Sequence, residues 1–193
     1  MREKFDQAYY QHFYDNPATR AGTIASARRQ AAFISAYLNY AELPVRRVLD
    51  LGCGLGRLLR ALQRCYPRAT CVGVEYSDYL CKRYGWLPGS VVDYRDDPYD
   101  LVICDDVLSY LDEAHCAQAL RNIAALTHNA AFLGLITHED REICDFQRSD
   151  RLQHLRPAAW YRRRINQNFQ SIGGGLYLRK PMAATMWTMD LGR

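Results

Sequence analysis

Three glycines, Gly52, Gly54 and Gly56, follow an apolar stretch at residues 45–51 that we expect to be a strand. Regularly spaced leucines after the glycines predict a helix. Glycines at a strand-to-helix junction let the backbone turn tightly and approach a ligand, and the start of the helix presents free N–H groups to an anionic group. The sequence therefore predicts a ligand-binding loop at the carboxyl end of a strand.

The spacing of these glycines excludes two common nucleotide-binding loops. The dinucleotide fingerprint has glycines at its first, third and sixth positions, and the sixth position counted from Gly52 is Arg57. The Gly-Lys-Ser/Thr sequence of the phosphate loop of nucleotide kinases is also absent. The loop must therefore bind another kind of ligand.

Predicted strands and helices alternate along the rest of the chain. Helices are expected in the first 40 residues, after Gly56, and at residues 77–84, 113–126 and about 157–168. Asp112 is the expected N-cap of the helix at 113–126. Strands are expected at residues 45–51, 69–74, 90–92, 101–104 and 130–136, and an antiparallel hairpin at about 175–180 and 183–190. This alternation predicts an α/β fold with a doubly wound, mostly parallel sheet and helices on both faces.

The chain of 193 residues is 49% apolar, which predicts one domain with one buried core. Within it, residues 1–40 are expected to form an N-terminal helical cap and residues 45–193 the core. Seven cysteines without a Cys-x-x-Cys pair predict neither a zinc site nor a disulfide framework. The sequence shows no signal peptide and no apolar segment of about 20 residues, so we expect a cytoplasmic protein that does not enter a membrane.

Acidic residues follow the predicted strands. Glu75 ends the second strand, Asp93 the third, and Asp105 and Asp106 follow the fourth. The carboxyl ends of parallel strands meet at one edge of a sheet, so these acids should lie along one rim. Such a rim favours a ligand with a ribose, an adenine amine and a positive centre, and it would repel several phosphates.

Together these residues resemble the class I (seven-strand, Rossmann-like) S-adenosylmethionine-dependent methyltransferases of the small-molecule branch. Residues 48–56 look like the first motif of that family, and the interval from Asp50 to Glu75 is similar to the usual distance to its ribose-binding acid. Residues 100–111 resemble its fourth motif. The resemblance implies a seven-stranded sheet, S-adenosylmethionine as the cofactor and S-adenosylhomocysteine as its product.

The resemblance also implies a set of cofactor-binding residues. Glu75 would accept from the ribose hydroxyls with Tyr76 beside the adenine, and Asp93 would accept from the adenine amine with the Tyr94 N–H near the ring. The interval between Glu75 and Asp93 is shorter than usual, so the helix between them must be shortened. The implied residues are Arg20, Asp50, Gly52, Cys53, Gly54, Gly56, Glu75, Tyr76, Asp93, Tyr94 and Asp105.

Arg20 enters this set through residues 16–20. They resemble a short element that some ubiquinone-type methyltransferases place before the core helix, where an arginine pairs with the cofactor carboxylate. The alternative is an arginine in water at the start of a helix.

The sequence offers candidates for the acceptor side as well. His138 follows the fifth predicted strand and could be a general base, or it could be a solvent-facing loop histidine. The tyrosines near the N-terminus could form a lid over the substrate or simply pack on the core. The predicted substrate residues are Tyr10, Tyr14, Tyr110, Glu139 and Asp145.

The expected reaction is in-line methyl transfer to an oxygen or nitrogen of a small molecule, by a monomer or a homodimer. The Asn/Asp-Pro-Pro-Tyr/Phe sequence of enzymes that methylate adenine or glutamine amides is absent. The carboxylates after the fourth and fifth strands are not convincingly spaced for a metal, so no metal is predicted. Two alternatives stay open. One is an RNA or protein methyltransferase that uses the basic C-terminal quarter of the chain, in which residues 160–164 combine two aromatic residues with three arginines, although a nucleic acid is not expected as a partner. The other is a cofactor-binding module without turnover.

Overall fold

The computed structural model describes residues 5–17, 19, 22–142, 150 and 153–184, and its centre is a seven-stranded sheet. The strand order is β3-β2-β1-β4-β5-β7-β6. The strands are β1 (Arg47–Leu51), β2 (Thr70–Glu75), β3 (Leu87–Pro88), β4 (Tyr99–Asp105), β5 (Thr127–Gly134), β6 (Phe169–Gly173) and β7 (Leu176–Arg179).

Strand directions confirm the predicted fold class. β1 is parallel to β2 and β4, β2 is parallel to β3, and β4 is parallel to β5. β7 is antiparallel to both of its neighbours, β5 and β6. The sheet is therefore mostly parallel with an antiparallel C-terminal hairpin, as expected.

Six α-helices connect or precede these strands. They are α1 (Gln7–Tyr10), α2 (Ile24–Tyr40), α3 (Arg57–Cys65), α4 (Asp78–Tyr84), α5 (Glu113–Leu126) and α6 (Ala158–Ile165) among the described residues. α1 continues into a π-helical turn at Gln11–Asp15, and short 3₁₀ turns occur at Leu108–Tyr110 and Glu139–Glu142. The predicted N-cap of α5 is confirmed, because the Asp112 side chain accepts from the His115 N–H at 2.9 Å.

Two apolar clusters cover the two faces of the sheet. Alternate strand residues point to opposite faces, so Leu49 packs in the cluster with α5 and α6, and Val48 in the cluster with α2 and α3. In β4, Val102 and Ile103 divide in the same way. Each fully buried side chain of this size contributes roughly 2 kcal/mol. Helices on both faces of the sheet are thus confirmed.

The predicted third strand, at residues 90–92, is not formed. The N–H groups of Asp93 and Tyr94 instead donate back to the Ser90 carbonyl oxygen and close a turn. The edge strand is β3 instead, and it is only two residues long.

In the C-terminal hairpin, the expected strand at 175–180 is confirmed as β7, but its hairpin partner is β6, which precedes it in the chain, and not a strand at 183–190. The turn of this hairpin is the glycine run Gly173, Gly174 and Gly175, in which all three residues have positive φ. The strands of the hairpin are β6 and β7, and α6 ends at Ile165 rather than near residue 168. Residues 185–190 lie outside the described part of the chain.

Within the described residues, no helix combines the length and the apolar character that crossing a membrane would require.

Candidate active site

The carboxyl edge of the parallel strands opens into two adjoining cavities of about 590 Å³ and about 120 Å³. Ligand pockets in α/β proteins form at this edge, and the larger volume suits a small molecule. The two cavities share a wall made of Tyr9, Tyr14, Gly52, Gly54, Asp105, Asp106 and Tyr110. A ligand of two parts can therefore extend from one cavity into the other.

The glycine loop after β1 shapes this wall. The N–H groups of Gly52 and Cys53 donate to the Val74 carbonyl oxygen at 2.8 and 3.1 Å, which ties the loop to the end of β2. Gly54 has a φ of +52°, and a Cβ added there would meet nothing within 4 Å. A Cβ at Gly56 would instead lie 2.4 Å from the ring of Trp86. Gly54 is thus the loop residue that leaves space for a ligand.

Glu75, at the end of β2, lines the smaller cavity beside Tyr76. Its Oε2 accepts from the Gly54 N–H at 2.7 Å, and its Oε1 accepts from the N–H groups of Tyr76 and Ser77 at 2.8 and 2.9 Å. Burial raises the pKa of this carboxyl, while the three backbone donors oppose that rise. A carboxylate has about four acceptor sites, so roughly one stays available to a ligand hydroxyl.

Two carboxylates in the larger cavity, the buried Asp50 and the half-buried Asp105, lack strong partners. Asp50 is 3% exposed, and its side chain makes no hydrogen bond to any described residue. Among the described residues, Asp105 accepts only a long 3.4 Å hydrogen bond, from Gln30. Burial raises the pKa of both, and for Asp50 the nearby Asp105 and Glu75 add to it. A ligand that brings positive charge and N–H donors would stabilise the charged form of both carboxylates.

Asp106 lines both cavities in an unusual backbone conformation, with a φ of +54°. Its N–H donates to the Gly134 carbonyl oxygen at 3.0 Å, and its Oδ1 accepts from Gln153 Nε2 at 3.2 Å. Burial, followed by the charges of Asp105 and Asp150, raises its pKa to about 7. The left-handed conformation directs a titratable group into the cavity wall at an energetic cost.

Aromatic side chains of the N-terminal segment cover the cavities. The hydroxyls of Tyr9 and Tyr110 lie 3.0 Å apart, and the Phe5 ring packs edge-to-face against both rings. Phe5 is fixed through its carbonyl oxygen, which accepts from the Ser77 hydroxyl. Tyr10 lines the smaller cavity and Tyr14 lines both. The segment therefore forms part of the site itself.

Arg57 is a site residue that the sequence reasoning missed. As the first residue of α3 it follows the glycine loop, and it lines the larger cavity. Its guanidinium donates to the carbonyl oxygens of Gly22 at 2.8 Å and Tyr14 at 3.0 Å, which holds the N-terminal segment over the site. Its position directly after the loop was the available signal, but its partners are distant in sequence.

The structure brings most of the predicted site residues to the cavity walls. Those that line a cavity are Tyr10, Tyr14, Asp50, Gly52, Cys53, Gly54, Glu75, Tyr76, Asp105 and Tyr110. Arg20 and Asp145 lie outside the described residues.

Three predicted cofactor residues do not line either cavity. Gly56 instead caps α3 against Trp86. Asp93 is exposed in the turn after Ser90, which takes it away from the expected strand end. The Tyr94 N–H already donates to the Ser90 carbonyl oxygen at 2.9 Å. At this end of the smaller cavity the lining residues are Gly89, Ser90 and Val91.

Two predicted acceptor-side residues are also placed elsewhere. His138 is exposed, and its N–H donates to the Arg156 carbonyl oxygen at 2.9 Å. The Glu139 carboxylate accepts from the Ala158 N–H at the start of α6, at 2.9 Å for Oε2, and this contact lowers its pKa. Both residues therefore belong to the connection between β5 and α6 rather than to the cavity wall.

The arginine cluster on α6 lies apart from the cavities. Arg164 stacks on the Trp160 ring at 3.6 Å and approaches Glu113 at 3.4 Å. Together with Arg121 and Arg163 it borders a separate groove of about 260 Å³. Within the described ranges, no three His, Cys, Asp or Glu side chains are grouped to hold a metal ion.

The sheet order, with the glycine loop after β1 and the acid at the end of β2, is that of the class I S-adenosylmethionine-dependent methyltransferase fold. A family model described as a methyltransferase domain matches residues 19–176. The chain belongs to this family.

Individual relatives are more distant. The chain is similar to a malonyl-[acyl-carrier protein] O-methyltransferase of Legionella pneumophila, with 33% identity over 85 residues, covering 38% of this chain and 30% of that protein. The chain thus matches less than a third of the length of that curated relative.

Solved structures show the same fold over nearly the whole chain. Magnesium protoporphyrin IX methyltransferase from Synechocystis PCC 6803, with bound S-adenosylhomocysteine, has a TM-score of 0.67 at 15% identity, covering 92% of this chain and 97% of that one. An S-adenosylmethionine-dependent methyltransferase from Clostridium acetobutylicum has a TM-score of 0.64 at 12% identity, covering 89% and 97%.

Proposed function

We propose that this protein transfers the methyl group of S-adenosylmethionine to an oxygen or nitrogen of a small molecule. The observation that carries the proposal is the pair of adjoining cavities, which share Gly54 and Asp105 at their junction. When bound, the cofactor supplies an activated methyl group on a sulfonium. One cavity suits its nucleoside part, and the other suits its amino-acid part together with the acceptor.

The residues of the smaller cavity fit an adenosine. Glu75 has an acceptor site left for a ribose hydroxyl, and Tyr76 and Val91 in the same cavity wall offer apolar surface to a planar ring. The N–H groups of the glycine loop are fixed by Val74, so the loop is organised before a ligand arrives. Preorganisation of this kind lowers the cost of binding.

The residues of the larger cavity fit the amino-acid part. The buried Asp50 and the half-buried Asp105 have unused acceptor capacity, which suits a ligand ammonium. Gly54 leaves the open space that a sulfonium methyl would need. The remaining part of this cavity, toward Tyr14, Asp106 and Gln153, is where we place the acceptor.

The N-terminal aromatic residues would exclude water and hold the acceptor in line with the methyl group. Tyr9 and Phe13 line the acceptor side, and Arg57 fixes the segment that carries them. Much of the rate enhancement of a methyl transfer can come from such positioning. A side chain that accepts a proton is needed only if the acceptor atom carries one.

The arginines of α6 do not favour an RNA or protein substrate over a small molecule. Arg164 is engaged with Trp160 and Glu113, and none of the described cluster residues lines either cavity. The α6 cluster therefore offers no path for a large substrate into the site.

The test is a turnover assay with S-adenosylmethionine and a broad panel of small amines, phenols, alcohols and carboxylic acids. The expected result is formation of S-adenosylhomocysteine that depends on one class of acceptor, with a product heavier by one CH₂ group. Cofactor binding without transfer to any acceptor would support the binding-module alternative instead. Transfer to bulk RNA that weakens steeply with salt would favour the nucleic-acid alternative.

A further inference from the structure

Carboxyl groups outnumber cationic groups in the wall of the larger cavity. Among the described residues that line it, four are aspartates, namely Asp50, Asp105, Asp106 and Asp150, and the single cation is Arg57. The Arg57 guanidinium is directed at the backbone oxygens of Gly22 and Tyr14. The cofactor of the proposed function adds one net positive charge, so carboxylates stay in excess on the acceptor side.

Aromatic rings enclose the same space. Tyr9, Phe13, Tyr14 and Tyr110 line the larger cavity, and a cation next to such rings is attracted by their electron-rich faces. The apolar side chains of Leu135 and Ile136 complete this wall. An acceptor with an apolar body and a cationic group matches both the rings and the aspartates.

Asp106 lies where the charged group of the acceptor would be. It is part of the wall common to both cavities, as Gly54 is, and only Gln153 among the described residues donates to its side chain, to Oδ1. The other oxygen, Oδ2, is available to a ligand donor. The left-handed backbone at Asp106, held by the N–H bond to Gly134, sets the direction of this carboxylate.

From this arrangement we propose that the acceptor is a primary or secondary amine with an apolar group about the size of an aromatic ring. Asp106 binds it as its ammonium, among the aromatic side chains of Tyr9, Phe13, Tyr14 and Tyr110. This inference rests on the proposed function and narrows its acceptor to a nitrogen. Acceptors that carry a carboxylate at the reacting end are disfavoured, because the same aspartates repel them.

The chemistry balances without another reactant. The bound ammonium gives one proton to the Asp106 carboxylate and becomes a neutral amine. Its nitrogen lone pair forms the new N–C bond while the C–S bond breaks, and the electron pair of that bond returns to sulfur. The product leaves as a methylated ammonium, and Asp106 releases its proton to water. A carboxyl whose pKa is about 7 can exchange this proton near neutral pH.

Three probes with one carbon skeleton test the inference: phenethylamine, phenethyl alcohol and phenylacetic acid. Their binding to the full chain saturated with S-adenosylhomocysteine is measured by ligand-observed NMR. The amine should bind ~10-fold to ~100-fold more tightly than the alcohol, and the acid should bind most weakly. Equal affinities, a preference for the alcohol or the acid, or no binding of the amine would overturn the inference.

The Asp106→Asn variant supplies the residue-level test. Asparagine tolerates the left-handed conformation, so the backbone should be preserved. The variant should lose most of the preference for phenethylamine and keep its affinity for S-adenosylhomocysteine within ~3-fold. Asp97→Asn removes the same charge from an exposed position outside both cavities and should bind all three probes as the parent does.

Different outcomes would overturn the acceptor assignment and the proposed function. Binding of S-adenosylhomocysteine without an amine preference, or an amine preference that survives in Asp106→Asn, would overturn the acceptor assignment and leave the proposed function standing. No binding of S-adenosylhomocysteine to the parent chain would overturn both.

Discussion

The Glu75 carboxylate accepts a hydrogen bond from the Gly54 N–H at 2.7 Å, and this contact joins the end of β2 to the glycine loop after β1. The acid assigned to the ribose and the glycine that leaves space for the ligand therefore hold one another in place. Two further N–H groups, from Tyr76 and Ser77, bind the same carboxylate. Backbone N–H groups thus fix the acid and the loop of the proposed cofactor site before any ligand binds.

A methyl group at Gly54 should block the cofactor. In Gly54→Ala the added carbon enters the open space of the cavity, so affinity for S-adenosylhomocysteine should fall at least ~10-fold by calorimetry. Gly85→Ala is a matched control, because Gly85 also has a positive φ of +73° and an open Cβ position but lies outside both cavities. Both variants should lose ~1 to 2 kcal/mol of stability from backbone strain. Equal cofactor affinity in the two variants would count against the assigned position.

Loss of the Arg57 guanidinium should release the N-terminal segment. Arg57→Met removes the hydrogen bonds to Tyr14 and Gly22, so amide hydrogens of residues 7–15 should exchange about tenfold faster. Arg64→Met, an exposed position on the same helix, is the control and should leave the exchange unchanged. If the segment exchanges equally in both variants, other contacts hold it.

Arg156 should stabilise the loop that presents Tyr110. Arg156 is 7% exposed, and its guanidinium donates to the Leu108 and His154 carbonyl oxygens at 3.3 and 3.1 Å and also to the Leu111 carbonyl oxygen. Arg156→Met leaves these acceptors unpaired and should cost about 2 kcal/mol in urea unfolding.

Arg162→Met is the matched control for that measurement. Arg162 is exposed on α6, and its loss should change stability by less than about 0.5 kcal/mol. A similar unfolding midpoint for the two variants would show that the buried guanidinium does not stabilise the loop.

Stability should depend on pH through Asp106. Burial, Asp105 and Asp150 raise its pKa to about 7, so the folded state holds a proton that the unfolded state releases near pH 4. Stability contributed by this proton is present below pH 4 and is lost as pH rises to about 7. Besides those acids, Tyr14 and Tyr110 face the group, and both hydroxyls keep their protons throughout this range.

Asp106→Asn removes the cost of the buried charge. The variant should therefore melt at a higher temperature than the parent at pH 8, and the difference should shrink as pH falls toward 4. Thermal unfolding at several pH values measures this directly. A difference that does not change with pH would mean that Asp106 titrates normally.

Local sequence was sufficient to predict which strand ends border the cavities. Gly52, Gly54 and Glu75 lie at the ends of apolar strands, and parallel strands bring such ends together whatever the loops do. The sheet could also be predicted from the sequence, because β1, β2, β4 and β5 are apolar runs between clear turns.

The positions of residues that depend on the path of a loop could not be predicted from the sequence. Asp93 leaves the expected rim because a turn at Ser90 closes before it. His138 is held by the carbonyl oxygen of Arg156, a partner 18 residues further along the chain, which no local pattern indicates. The hairpin partner of β7 was missed because Phe169, the start of β6, follows directly after a helical pattern.

The central claim is that this cavity binds S-adenosylmethionine through Glu75. Calorimetric titration of the parent chain and of Glu75→Ala with S-adenosylhomocysteine tests it most directly, with Asp97→Ala as an exposed control. We expect one binding site per chain in the parent and in the control, and a loss of about 1 to 3 kcal/mol of binding free energy in Glu75→Ala. No binding by the parent, or the same affinity in Glu75→Ala, would contradict it.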